Sequence, residues 1–62
     1  MAVYEFTVDG QLQTVHADGY RSENGDTVFW AEFHDTLTEA SQRVVLRVRV
    51  DEDSVVRLPP RR

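Results

Sequence analysis

Arg43-Val44-Val45-Leu46-Arg47-Val48-Arg49-Val50 is the stretch that decides the fold class. Val44, Leu46, Val48 and Val50 recur at every second position, and Arg43, Val45, Arg47 and Arg49 fill the alternate ones. Successive side chains of an extended chain point to opposite faces, so a period of two marks a half-buried strand. The valines favour it further, because β-branched side chains pack well on a pleated surface.

The same pattern recurs upstream. In Val3–Val8, Tyr4, Phe6 and Val8 share one face and Val3, Glu5 and Thr7 the other. Asp9-Gly10 follows, a dipeptide suited to the positive φ of a two-residue hairpin turn. A second strand is predicted from Gln11 to about Ala17, where Leu12, Val15 and Ala17 change parity midway, which a bulge or a sharp bend would reconcile. Asp18-Gly19 reads as a further turn and Tyr20-Arg21-Ser22 as a short extended piece. Asn24-Gly25 is the strongest hairpin signal in the chain. From Thr27 to His34, Thr27, Phe29, Ala31 and Phe33 face one side, and Val28, Trp30, Glu32 and His34 the other. Thr36 and Glu39 stand at capping-box spacing, so a short helical turn over 36–42 and a polar loop fit equally well. After Asp51-Glu52-Asp53, Ser54–Leu58 makes a last short strand, which Pro59-Pro60 ends because neither proline can donate to a ladder.

These elements predict an all-β domain over 1–58 with a 59–62 Pro-Pro-Arg-Arg tail: a small antiparallel barrel or roll of five to six strands. A strand, a short acidic turn and a short terminal strand over roughly the last fifteen residues resemble the close of SH3-like barrels. That resemblance is one of layout and implies no binding residues. An OB-like roll is the alternative, since that fold places a helix where Thr36–Gln42 lies.

Composition narrows the function classes. Sixty-two residues allow one domain, which buries only about 60% of its unfolded surface. With 40% hydrophobic residues the chain can still form a core. It has no cysteine, so disulfides and thiolate metal sites are excluded. The start Met1-Ala2-Val3-Tyr4-Glu5 lacks the pattern of a signal peptide, and no apolar run approaches the ~20 residues of a membrane span. A cytoplasmic location with no membrane partner is the expectation. Arginine is the only strongly basic residue type, and Val and Asp are plentiful, which suggests a GC-rich bacterial or phage genome.

The net charge of −4 is unevenly spread. Residues 1–40 hold eight acids and one Arg (−7), and residues 41–62 hold six Arg and three acids (+3). Such a division can steer a partner or a second copy of the chain, although charge on outer strand faces also serves plain solvation.

Candidate chemistry is sparse. The chain has no Gly-rich phosphate loop, no nucleophile elbow, and neither Cys nor Lys as nucleophile, so a non-catalytic protein without cofactor is expected. His16 and His34, with nearby acids, lack the convergent spacing of a metal site. Two surfaces remain. If Phe29, Ala31 and Phe33 face the core, Val28, Trp30 and His34 form an outer contact face, with Trp30 as anchor unless its strand is buried on both sides. Arg43, Arg47 and Arg49 form a second face, suited to a nucleic-acid strand or paired with the acids of the N-terminal part. An accessory or regulatory protein-interaction module, with homodimerisation included, is the leading expectation. A nucleic-acid-binding barrel or an acidic nucleic-acid mimic is the alternative.

Overall fold

The computed structural model describes residues 1–34 and 40–60 and, of His34 and Ala40, the backbone alone. The chain is all-β: two antiparallel three-stranded sheets and no α-helix among the described residues. Six strands, β1 (Ala2–Val8), β2 (Gln11–Ala17), β3 (Gly19–Glu23), β4 (Asp26–His34), β5 (Ala40–Val48) and β6 (Val56–Leu58), assemble in the orders β2-β1-β6 and β3-β4-β5. The helical turn allowed over 36–42 is displaced at its C-terminal part, because Ala40, Ser41 and Gln42 already pair with β4. Residues 35–39 lie outside the described residues.

Both hairpin turns form at the expected dipeptides. Asp9 and Asn24 have φ of 50°, and Gly10 and Gly25 follow at 76° and 84°. The paired positive values match the right-handed twist of the flanking strands. Asp18-Gly19, by contrast, is no hairpin turn. Gly19 already pairs with Trp30, and the Asp18 amide donates to the Trp30 carbonyl at 2.8 Å. The chain therefore bends at Asp18 and runs from the first sheet into the second.

The bulge expected in β2 is absent: β1 and β2 pair without a break from Ala2↔Ala17 to Val8↔Gln11. Leu12 resolves its own parity by lying 65% exposed. The irregularity is instead in β5, where Leu46 pairs with Phe29 and Val44 with Trp30, leaving Val45 as an extra residue.

The expected last strand, Ser54–Leu58, starts two residues later than predicted, after a turn on the acidic segment. Glu52–Ser54 is a 3-10 turn, capped by the Asp51 carboxylate on the Asp53 amide at 3.1 Å, and only Val56–Leu58 is strand. The Asp51 carbonyl accepts from the Ser54 amide and hydroxyl at 2.9 and 2.6 Å.

The core lies between the sheets. Tyr4, Phe6, Val15, Ala17, Phe29 and Val55 are buried together, and Tyr20, Leu46, Val48 and Val50 pack against them. Phe29 is fully buried, stacked on Phe6 at 5.2 Å and tilted against Tyr4 and Tyr20. Tyr4 meets Tyr20 edge-on at 5.1 Å. Such pairs add about 0.5–1.5 kcal/mol each beyond the area they bury. Thr27 is also fully buried, and its hydroxyl donates to the Val50 carbonyl at 2.9 Å. That bond ties the chain leaving β5 to the start of β4.

Candidate functional site

The outer face of the β3–β4–β5 sheet gathers most of the residues that the sequence singles out. β4 alternates as expected, so Val28, Trp30 and Glu32 point away from the core while Phe29 points into it. Cross-strand registers turn the outer side into rows. Arg21, Val28 and Arg47 form one, Gly19, Trp30 and Val44 the next, and Glu32 and Gln42 a third.

Val45 changes what β5 presents. Below it, Leu46 and Val48 face the core; above it the parity reverses. Val44, expected on the core face, therefore stands on the outer face opposite Trp30, and the bulge places Val45 beside it. The two are 51% and 44% exposed. Arg43 makes the opposite change. Instead of sharing a face with Arg47 and Arg49, it pairs with Ala31 on the core side, and its guanidinium lies 5.8 Å from the Phe33 ring centroid.

Trp30 is half-buried, neither closed in the core nor free in solvent. Its indole lies across Gly19 in β3, so closely that a Cβ there would meet the ring carbons at 2.5 and 2.8 Å. A glycine at the paired position gives the ring a flat backbone bed. Val28, expected as a contact residue, is fully buried and corrects that expectation. It sits on the middle strand with Arg21 and Arg47 in register on either side and Trp30 two residues on. Long arginine stems readily cover an aliphatic neighbour in this arrangement. The His34 side chain lies outside the described residues.

Beyond Val28 the face is charged. Arg47 contacts Glu23 at 3.2 Å and Asp26 at 3.6 Å, Arg49 contacts Asp26 at 3.3 Å, and Arg21 bonds Glu23 at 2.5 Å. Hydrogen bonds from Arg21 and then Arg47 hold the Glu23 carboxyl below the usual carboxylate range. On the far side of Trp30, the Asp18 carboxylate accepts the Glu32 amide at 2.6 Å and Glu32 is exposed.

The sequence reading missed Val44 and Val45. The signal was present in Val44-Val45-Leu46, three consecutive apolar residues in an otherwise alternating strand. It also missed an open depression of about 670 Å3 over the outer side of the other sheet, lined by Val3, His16, Arg57, Leu58 and Pro59 among others.

Among the described residues, no three His, Asp or Glu side chains converge as metal ligands, and no helix is long and apolar enough to cross a membrane. Comparison of the chain with protein-family models, curated proteins and solved structures finds no match.

Proposed function

We propose that this chain is a small non-catalytic protein-interaction module of SH3-like layout, acting as an accessory or regulatory factor through the outer face of β3–β4–β5. One observation carries the reading: a half-buried indole on a glycine bed stands beside Val44 and Val45, both exposed, in the middle of a sheet face. Large aromatics flanked by aliphatic residues dominate interface energetics, and here the ring is held in place before any partner arrives. The layout is supported by the two sheet orders, the bend at Asp18 that leads β2 into β3, and the 3-10 turn just before β6.

A protein partner is favoured over a nucleic-acid strand by the ion pairs. Backbone binding depends on a net positive footprint that releases counterions. Arg47 and Arg49 instead face Glu23 and Asp26, and Arg43 has turned to the other side of the sheet.

The test combines folding with capture. Val44→Asp and Trp30→Ala baits, checked for folding by circular dichroism, are compared with wild type for proteins captured from the native host. The proposal expects folded variants that lose the specific captured set. Folded variants that capture the same proteins as wild type would contradict it.

A further inference from the structure

The order of charges along this face is complementary to itself, and we infer that its partner is a second copy of the chain, docked face to face about a two-fold axis at Trp30. The inference rests on the reading of this face as a contact surface and names its occupant.

Three rows carry the argument. At one end stand Arg21, Val28 and Arg47, in the middle Gly19, Trp30 and Val44 with Val45, and at the other end Glu32 and Gln42. Residues two apart on a strand are about 6.8 Å apart, so the basic and acidic rows lie at equal distances from the Trp30 row. A two-fold axis in the interface plane, running across the strands at Trp30, reverses the order of rows and keeps each strand over its equivalent. Trp30, Val44 and Val45 then meet their counterparts. Glu32, on the middle strand, comes to lie over Val28 of the second copy, between Arg21 on one neighbouring strand and Arg47 on the other. Because the arrangement is symmetric, it is made twice.

The charges suit this placement. Among the described residues, Arg21, Arg47 and Arg49 face Glu23 and Asp26, three guanidiniums to two carboxylates, which leaves one positive charge in this group. The side chains of Arg21 and Arg47 are 43% and 46% exposed, so both retain surface for another acceptor. The Glu32 amide is held by Asp18, which fixes the backbone from which its exposed carboxylate projects.

Pairing of two β5 edges is the competing self-contact, and its charges oppose it. Ala40–Val50 contains three Arg and no acid. Antiparallel pairing about Val45 would set Arg43 opposite Arg47, and like charges directly opposite are destabilising. The bulge at Val45 also twists the edge away from regular pairing.

Three strands and three rows cover roughly 300 Å2 of sheet plane, well below the ~800 Å2 per partner of a standard interface. The dimer is therefore a weak, reversible one, populated at high micromolar concentration.

Sedimentation equilibrium of wild type, Glu32→Arg, Arg47→Glu and Val44→Asp tests it, with folding of each variant checked by circular dichroism. The expected result is a wild-type dimer, weakened about tenfold or more by Glu32→Arg and by Val44→Asp. A mixture of Glu32→Arg with Arg47→Glu is expected to recover association that neither has alone. Should Arg47→Glu fail to fold, Arg21→Glu takes its place. A wild-type chain that stays monomeric to about 1 mM overturns the inference, as does a dimer indifferent to both Glu32→Arg and Val44→Asp. Neither result touches the reading of the face as a contact surface, which the captured proteins decide separately.

Discussion

Trp30 and Gly19 are cross-strand partners, and the indole of the first occupies the space where a side chain on the second would be. A Cβ at position 19 would lie 2.5 Å from the ring, closer than carbon atoms approach. The glycine therefore sets the pose of the aromatic at the centre of the proposed contact face. Gly19→Ala is expected to lift the ring, cost about 1–3 kcal/mol and shift tryptophan emission to the red. Trp30 is the only tryptophan in the chain, so fluorescence reads this position alone. An unchanged spectrum and unchanged unfolding midpoint would show that the ring has room elsewhere.

Phe29 and Leu12 bracket the range of core and surface effects. Phe29 is fully buried against Phe6, Tyr4 and Tyr20, and Phe29→Ala is expected to cost about 3–5 kcal/mol. A domain of 62 residues commands only about 3–9 kcal/mol in total, so this variant should be largely unfolded at 37 °C. Leu12, 65% exposed, should tolerate serine within about 0.5 kcal/mol. Urea denaturation of both variants measures the contrast.

The Thr27 hydroxyl is a buried donor with one partner, the Val50 carbonyl. Thr27→Val keeps the shape and removes the bond, which leaves that carbonyl without its donor and should cost about 1–3 kcal/mol. Thr27→Ser, which retains the donor, should cost less. If valine proves the milder of the two, packing rather than the bond governs the site.

Glu23 gives stability a pH dependence of known sign. Its carboxyl is held below its ordinary range by hydrogen bonds from Arg21 and then Arg47. A carboxylate depressed in the folded state contributes its stability above the unfolded pKa and loses it as pH falls through the folded value. Glu23→Gln should therefore be less stable than wild type at pH 7, and the gap should close on acidification below pH 4. Because the pair is open to solvent, the gap should be small and shrink with added salt. A difference constant from pH 7 to pH 3 would assign the effect to something other than the charge.

Much of the fold was legible from periodicity. β1 alternates as read, β4 keeps its pairing without a bulge of its own although Val28 is buried beside Phe29 and Phe33 is 46% exposed, and Asp9-Gly10 and Asn24-Gly25 turn where their φ preferences say they should. What escaped was parity at two places. Leu12 invites a bulge in β2 only if every leucine must be buried, and single exposed leucines are ordinary. In β5, where the sequence reads as an unbroken alternation, a bulge is present, because which of two adjacent valines β4 pairs with is a tertiary choice. That one extra residue moved Val44 onto the Trp30 face and took Arg43 off the Arg47 face. The candidate site was thus half visible: Trp30 stood out by type, whereas burial of Val28 depends on register with Arg21 and Arg47 from two other strands.

The most direct test of the central claim is the amide spectrum of the 15N-labelled chain, followed by NMR on dilution from about 1 mM to about 20 μM, the range in which a weak dimer dissociates. Shifts are expected at Gly19, Trp30 with its indole N–H, Glu32, Val44 and Val45, while Leu12, Thr14 and Val56 on the other sheet stay still. Movement confined to the other sheet, or no movement at Trp30 across the whole range, would contradict the account.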